Sequence, residues 1–574
     1  MEELHLAKPE KKRLGDLLVE SKLITESQLM EALRVQKEMG VRLGQALIQL
    51  GFVTQQSINE VLEFQLGIPQ VALHKLRLDP KIVKLISGDL ARRHKIIPIE
   101  KKDNTIRVAM VDPLNLVAFD DVKLQTGYEV EAVIATEHEV DRIISRYFGL
   151  TDSVKQAFGD KLQEMQRQDT GIADTLDLDE LANATDEAPI AKAVNAIIQQ
   201  SIKEKASDIH IEPAERQLRV RYRIDGILQD MMELPKQTHP SLVSRIKIMA
   251  DMDIAEKRIP QDGRIQIKSG NSNIDLRIST LPTIFGEKVV IRLLDKTNVL
   301  YSVHELGMSE NVETRFNDTL RQTYGVILIT GPTGSGKTTT LYAALNEIND
   351  AQKNIVTIED PVEYVLDRIN QIPVNTKVGM TFANGLRSIL RQDPDIIMVG
   401  EIRDKETAEI AIRSATTGHL VLSTLHTNDA ASTVTRLLDL EVEPFLVASA
   451  LVGVLGQRLV RTICNDCKRS YSLPENDPWR LFIGVDETEP IALYKGTGCG
   501  FCNNTGYKGR TAIHEFMPLT KEIRSLVARK ATADVIKELA RQQGMITLKE
   551  DGIQKAFNGL TTIQEVVRVS YTDE

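Results

Sequence analysis

Gly325-Val326-Ile327-Leu328-Ile329-Thr330 runs directly into Gly331-Pro332-Thr333-Gly334-Ser335-Gly336-Lys337-Thr338, with Thr339 next. The apolar run reads as a buried strand of a parallel sheet, because a strand covered on both faces has no need of polar alternation. The residues after it match the phosphate-cradling pattern Gly-x-x-x-x-Gly-Lys-Thr. Its glycines let successive N–H groups curl around phosphate oxygens, and a helix opening at Thr338 and continuing through 339–349 turns its positive end towards them. Lys337 is the expected contact of the β and γ phosphates, and the Thr338 hydroxyl is the expected Mg²⁺ ligand. The expected nucleotide site is therefore Gly331, Pro332, Thr333, Gly334, Ser335, Gly336, Lys337, Thr338 and Thr339, on an α/β core.

Such a loop needs a carboxylate on the next strand to hold metal or water. Asp395-Ile396-Ile397-Met398-Val399-Gly400-Glu401 supplies one, with Gly400 where the familiar aspartate stands, so Glu401 does this work from one position later. Thr357-Ile358-Glu359-Asp360-Pro361-Val362-Glu363 adds general-base candidates, Pro361 ending the strand and aiming Glu363 at the site. His419 and His426 stand at the two ends of a further apolar run, 420–425. A strand-end histidine is more often structural, yet two beside a γ-phosphate site would sense its occupancy, and the sequence leaves both readings open.

Around this core lie 574 residues, roughly four domains at about 150 residues each. Hydrophobic residues are 42%, which excludes a wholly disordered chain. No apolar stretch is long enough to span a bilayer, and the N-terminus lacks the apolar centre of a signal peptide, so the protein is expected in the cytoplasm. The net charge is −10, of which residues 151–187 hold −7, with ten Asp/Glu against three Lys/Arg. That segment, poor in large apolar residues, reads as a flexible acidic linker. The remainder is nearly balanced and lacks the basic footprint of a duplex-DNA binder. Asp208–Glu212 and Leu218–Gly226 read as a hairpin whose return strand alternates apolar and cationic residues, a solvated edge or a phosphate-contacting face.

All four cysteines fall in two C-x-x-C pairs, Cys464/Cys467 and Cys499/Cys502. Two such knuckles present the four thiolates of a closed structural Zn²⁺ site; unligated thiols or redox pairs are the alternative. The N-terminus holds an internal repeat. Arg13-Leu14-Gly15 recurs as Arg42-Leu43-Gly44 at a period of 29, which also matches Leu18/Leu47, Thr25/Thr54, Glu31/Glu60, Leu33/Leu62 and Gln36/Gln65. Each block reads as two short amphipathic helices with a Thr25 or Thr54 cap. Packing accounts for the leucines and caps. The paired Arg and Gln suit a two-fold ligand with phosphates and purine edges, and a partner-docking helical domain remains equally open.

These repeat blocks resemble the tandem cyclic-di-GMP motif of the N-terminal domain of mannose-sensitive haemagglutinin (MSHA) pilus assembly ATPases, with Lys22 in the first block where the second has the motif's Gly51. Residues 66–150 resemble the small α/β domain that follows in secretion ATPases. The P-loop, the Glu359–Glu363 box, Gly400-Glu401 and the His419/His426 box resemble the type II secretion and type IV pilus ATPase superfamily over nearly the whole chain. The resemblance implies a multidomain α/β fold. Residues 1–66 are a helical tandem repeat binding cyclic-di-GMP through Arg13, Leu14, Gly15, Gln36, Arg42, Leu43, Gly44 and Gln65, and 67–150 a small α/β domain. After the 151–187 linker come 188–300 as a PAS-like half of the motor and 301–460 as a RecA-like ATPase domain. Residues 461–515 form a tetracysteine zinc module and 516–574 a C-terminal helical domain. It further implies Glu363 as catalytic glutamate, Glu401 as the Walker B glutamate, and Arg221, Arg387 and Arg391 as phosphate-neutralising arginines. Lys337, His419 and His426 complete the expected catalytic set. The implied assembly is a homohexamer peripheral to the inner membrane, working on a membrane platform protein and contacting the membrane only through partners. The long N-terminal region and the tetracysteine module favour an assembly motor over a retraction motor. The doubled Arg-Leu-Gly favours an MSHA-type pilus over a type II secretion machine. A nucleic-acid translocase is disfavoured by the acidic balance and the 4% aromatic content, and a scaffold without turnover by the presence of both Glu363 and Glu401.

Overall fold

The computed structural model describes residues 68–148 apart from 74, 75, 77 and 114, then 188–295 apart from 270 and 271, 302–475, 477–485 and 491–570; within the first 67 it describes 15, 18, 19, 21, 23–39, 43, 46, 47 and 50–53. Arg13, Leu14, Arg42, Gly44, Gln65 and the 151–187 linker lie outside the described residues. The chain divides into two compact units, 1–197 and 198–574.

In the first unit, β1 (Ile96–Lys102) and β2 (Thr105–Met110) form an antiparallel hairpin, and β3 (Glu129–Ile134) lies parallel to β2 after a crossover through the helix Leu116–Thr126. Ile96, Ile106, Val108 and Val133 build its core with Ile143 of the helix Glu137–Phe148. The 29-residue repeat is visible as packing. Leu18 with Leu47 and Ile24 with Val53, each pair one period apart, share a single apolar cluster with Ile134. The same turn closes both blocks, with Leu23 N donating to Leu18 O at 3.1 Å and Phe52 N to Leu47 O at 3.0 Å. Thr25 caps the helix Glu26–Met39: Gln28 N donates to Thr25 Oγ1 at 3.3 Å, and Thr25 N to Gln28 Oε1 at 2.9 Å. Gln36 is half-buried on that helix, and Leu43 packs half-buried against the cluster. A Cβ on Gly15 would lie 2.7 Å from Leu29 Cδ1, so this glycine serves the close approach of two helical segments.

The second unit opens within the helix Ala188–Lys203. Its first layer is an antiparallel sheet of β4 (Asp208–Pro213), β5 (Gln217–Ile224), β6 (Ile227–Pro235), β7 (Gln261–Ser269), β8 (Ser272–Thr283) and β9 (Gly286–Asp295) in the order β6-β5-β4-β9-β8-β7. The expected hairpin is β4 with β5. The ATPase core is a seven-stranded sheet built from β10 (Gly325–Thr330), β11 (Ile355–Glu359), β12 (Ile369–Pro373), β13 (Ile396–Val399), β14 (Leu420–Leu425), β15 (Leu451–Ile463) and, after β16 (Lys468–Ser472) and β17 (Ala492–Gly496), β18 (Tyr507–Pro518). The order is β12-β11-β13-β14-β10-β15-β18, parallel except for β18 at the edge. Helices cover both faces, so Val326 and Leu328 enter one apolar core while Ile327 and Ile329 enter the other.

Two sequence expectations change. The strand bearing Glu401 is not beside the P-loop strand, because β14 pairs with both β10 and β13 and stands between them. The limits 460/461 and 515/516 also fall inside β15 and β18, which pair from Gly453↔Pro518 to Arg461↔Arg510 and, after one register shift, at Ile463↔Tyr507. The tetracysteine module is therefore the tip of a hairpin belonging to the ATPase sheet, holding the β16–β17 pair, and the C-terminal helical part begins at the helix Lys521–Ala528. Among the described residues no helix is long and apolar enough to cross a membrane.

Candidate functional site

β10, β11, β13 and β14 deliver their chemistry at the same, C-terminal edge, where open α/β sheets bind ligands. From β10 the chain enters the loop 331–336, then the helix Lys337–Glu347. Gly331 sits at φ +152°, and a Cβ there would lie 2.4 Å from Gln457 O of β15 and 2.6 Å from Ser335 Oγ. Gln457 also clasps the loop from beneath: its Nε2 donates to Ser335 O at 2.9 Å, and its Oε1 accepts from Thr340 Oγ1 at 2.7 Å. Pro332, Thr333, Gly334 and the Thr338 side chain face solvent, Gly336 and Thr339 are half-buried, and Lys337 is buried. The Lys337 ammonium donates to Gly331 O at 2.7 Å and Pro332 O at 3.1 Å. Burial pulls its pKa down to about 8, with nearby Arg458 pressing the same way and Glu401 opposing.

The inserted strand β14 explains the geometry around Glu401. His426 leaves its C-terminal end with Nδ1 at 3.4 Å from Lys337 Nζ and Nε2 at 3.2 Å from Glu401 Oε2. Since the lysine can only donate, Nδ1 accepts and the Nε2 proton faces Glu401. Thr424 Oγ1 donates to Gly400 O at 2.7 Å, fixing the turn from which Glu401 projects. Burial alone would raise the Glu401 carboxyl, but the Arg403 ion pair and His426 outweigh it and hold it below the ordinary carboxylate range. Glu401 and the exposed Thr338 hydroxyl are the oxygen donors that would hold Mg²⁺, which when bound neutralises phosphate charge.

At the end of β11, Glu359 is buried and accepts from Thr357 Oγ1 at 2.6 Å, Gln371 Nε2 at 3.0 Å and the Tyr342 hydroxyl. After the cis Asp360-Pro361 bond, Glu363 Oε2 pairs with Arg277 Nη2 of β8 at 3.0 Å. Arg277, Arg403 and Tyr342 were not singled out in the sequence. Only the alternation of Arg264, Arg277 and Arg292 with apolar residues hinted at a cationic sheet face, and which of them meets Glu363 depends on a contact spanning 86 positions.

Other expected residues sit elsewhere. Arg221 is held by Glu212 of β4 at 2.7 Å, with Lys288 on the same carboxylate at 2.9 Å. Burial opposes ionisation there, yet the two cations hold Glu212 down to about 2. Arg387, exposed in the last turn of the helix Phe382–Ile389, pairs with Glu406, and Arg391, two residues beyond that helix, donates to Arg387 O at 3.0 Å. His419 is corrected as a partner of His426. It precedes β14, and the seven steps from His419 to His426 set roughly 23 Å between their backbones, while its Nδ1 faces Ser414 O at 2.9 Å. His419 thus fastens a helix-to-strand turn at the sheet edge opposite the P-loop.

The four cysteines converge at the tip of the β15–β18 hairpin. Sγ separations are 3.8 Å for Cys464/Cys499, 3.8 Å for Cys467/Cys502 and 3.7 Å for Cys499/Cys502, and all four lie within 4.8 Å of one another. A tetrahedron of thiolates about 2.3 Å from Zn²⁺ has edges of about 3.8 Å, so the donor set fits a closed structural zinc. Cys499 N and Gly506 N each donate to Cys502 Sγ at 3.2 Å, orienting that sulfur.

A model of the type II/IV secretion system protein family matches residues 183–568, and one of the MshEN domain matches 66–154, which includes the β1–β3 sheet. The type IV pilus assembly ATPase PilB of Myxococcus xanthus is 44% identical over 558 residues, covering 97% of this chain and 98% of the relative. The type II secretion system protein E of Xanthomonas campestris pv. campestris is 41% identical over 563 residues, with the same 97% and 98% coverage. A solved structure of MshE with cdg is 39% identical over 24% of this chain and all of that one, at a TM-score of 0.23. Matching along nearly its whole length, and carrying Lys337, Glu401 and His426 on one sheet edge, the chain belongs to the type II/IV secretion system protein family.

Proposed function

We propose that this P-loop ATPase powers extension of a type IV pilus of the MSHA type, as a cytoplasmic homohexamer acting on an inner-membrane platform protein. The observation that carries the reading is the joining of Lys337, His426 and Glu401 at one sheet edge, with Glu363 held opposite by Arg277. In this reading Lys337 binds the phosphates, Glu401 holds metal or water, and Glu363 receives the proton of the attacking water. The pilus assignment is supported by the 44% identical PilB of M. xanthus and by the doubled Arg-Leu-Gly before the MshEN match. The 41% identical Xanthomonas relative supports the second reading, a type II secretion motor.

Cyclic-di-GMP is the proposed regulatory ligand, held by Arg13 and Arg42 with Gln36 and Gln65. The support is the exact 29-residue period of these pairs, together with repeat-spaced Leu18/Leu47 and Ile24/Val53 packing. ATP hydrolysis by the full chain, compared with Glu401→Gln and repeated with single-stranded DNA, tests the enzyme. Turnover lost in the variant and indifferent to DNA supports the motor, whereas DNA-stimulated turnover favours a translocase. Calorimetric titration of the full chain with cyclic-di-GMP, repeated with Arg13→Ala and Arg42→Ala, tests the ligand, and unaltered heats in both variants refute it. Scoring surface pili and secreted protein in a deletion strain separates the pilus reading from the secretion reading.

A further inference from the structure

Tyr342 lies on the helix that begins at Lys337, and its ring is buried, 1% exposed. Its hydroxyl donates to the buried Glu359 carboxylate and accepts from Glu363 N at 3.3 Å. One oxygen therefore joins the P-loop helix, the end of β11 and the backbone of the residue read as the general base. Gln371 of β12 completes the frame: its Nε2 donates to Glu359 Oε1 at 3.0 Å and Tyr364 O at 3.2 Å, and its Oε1 accepts from Leu366 N at 2.8 Å. The Tyr364 ring packs edge-on against Tyr342 with centroids 4.4 Å apart. Loop 360–364 is thus fastened at both ends to the helix that receives the phosphates, while the Glu363 side chain, 31% exposed, pairs with Arg277.

The geometry points to Tyr342 as a positioning residue for ATP hydrolysis, its hydroxyl setting the backbone of Glu363 against the nucleotide site. The inference rests on the reading of Glu363 as general base. Two features suit the hydroxyl to this role. It keeps its proton, because burial and the Glu359 hydrogen bond push its ionisation above the ordinary tyrosine range, so the donor and acceptor directions stay fixed. It is also rigidly placed: a displacement of the base by about 1 Å is enough to cost on the order of 100-fold in rate.

The test uses the full chain and steady-state ATPase kinetics on wild type, Tyr342→Phe, Glu359→Gln, Glu363→Gln and the Tyr342→Phe/Glu363→Gln double variant, each checked by thermal melting. Tyr342→Phe keeps the ring packing and removes only the hydroxyl. The expected result is a kcat lowered about tenfold or more, a KM for ATP within about twofold of wild type, a similar change in Glu359→Gln, and no further loss when Tyr342→Phe is added to Glu363→Gln. If Glu363→Gln lowers kcat while Tyr342→Phe does not, or if the two losses multiply in the double variant, the positioning role is overturned and the reading of Glu363 stands. A Glu363→Gln chain with wild-type kcat overturns both.

Discussion

Nucleotide affinity should depend on pH through Lys337. Its ammonium is pulled down to about 8 by burial, whereas bound phosphates would hold it charged. The perturbation is a rise in pH from 7.5 to 9.5, a range in which phosphate oxygens, with a second pKa of about 6, are already ionised. Well below pH 8 nearly every chain holds a charged Lys337 and the dissociation constant is flat, while at pH 7.5 about a quarter of chains have already lost the proton. Above pH 8 the binding-competent fraction falls about tenfold per pH unit. At pH 9 roughly a tenth of chains are competent, so the apparent Kd rises about tenfold, or ~1.4 kcal/mol. The assay is titration with a non-hydrolysable ATP analogue and Mg²⁺ across this range. Glu401→Gln removes a neighbour that raises the Lys337 pKa, so it should move the break in the curve below pH 8. Lys337→Arg, whose guanidinium does not titrate here, should abolish the break. A flat wild-type curve up to pH 9.5, or the same slope in Lys337→Arg, would refute the argument.

Gly331→Ala should abolish nucleotide binding and lower the melting temperature: the new Cβ would meet the Gln457 carbonyl at 2.4 Å in a left-handed backbone, overpacking worth about 1–3 kcal/mol before the strain at φ +152° is added. X-ray absorption at the zinc edge should show one zinc per chain with four sulfurs at about 2.3 Å, and a shell containing nitrogen or oxygen would contradict the four-thiolate site. Gly496→Ala should release that zinc, since its Cβ would lie 2.0 Å from Gly506 O, next to the amide that donates to Cys502 Sγ; unchanged zinc content would show that the contact is dispensable.

What the sequence made legible was local. The β10 strand, its glycine loop and the helix beyond follow from neighbouring residues whose types state their own geometry. The C-x-x-C pairs did so equally, since two knuckles need only meet. Strand order is not local. Nothing between Asp395 and Asn428 announces that β14 slips between the P-loop strand and the Glu401 strand, yet that order brings His426 between Lys337 and Glu401 and leaves His419 at the far edge. Arg221 and Arg277 are both arginines on strands of the same sheet. Arg221 is neutralised by Glu212 while Arg277 reaches Glu363, and only the pairing of β4 with β5 and of β8 with β9 separates them. The C-terminal domain limits were misplaced because cysteines mark chemistry, whereas β15 and β18 run on through the expected boundaries.

The β15–β18 ladder also has a mechanical consequence. Gln457, which clasps the P-loop, faces His514 across the ladder, and β15 ends at Ile463, directly before the first cysteine, Cys464, while β18 begins at Tyr507, five residues after the last, Cys502. A slip of one residue between antiparallel partners turns every side chain to the opposite face and would swing Gln457 away from Ser335. Four sulfurs bound to a single zinc at the tip would forbid that slip. Zinc held there would act as a pin through the end of a ribbon, and the nucleotide loop, seven residues back along β15 and roughly 23 Å distant, would inherit its alignment from an ion it never touches.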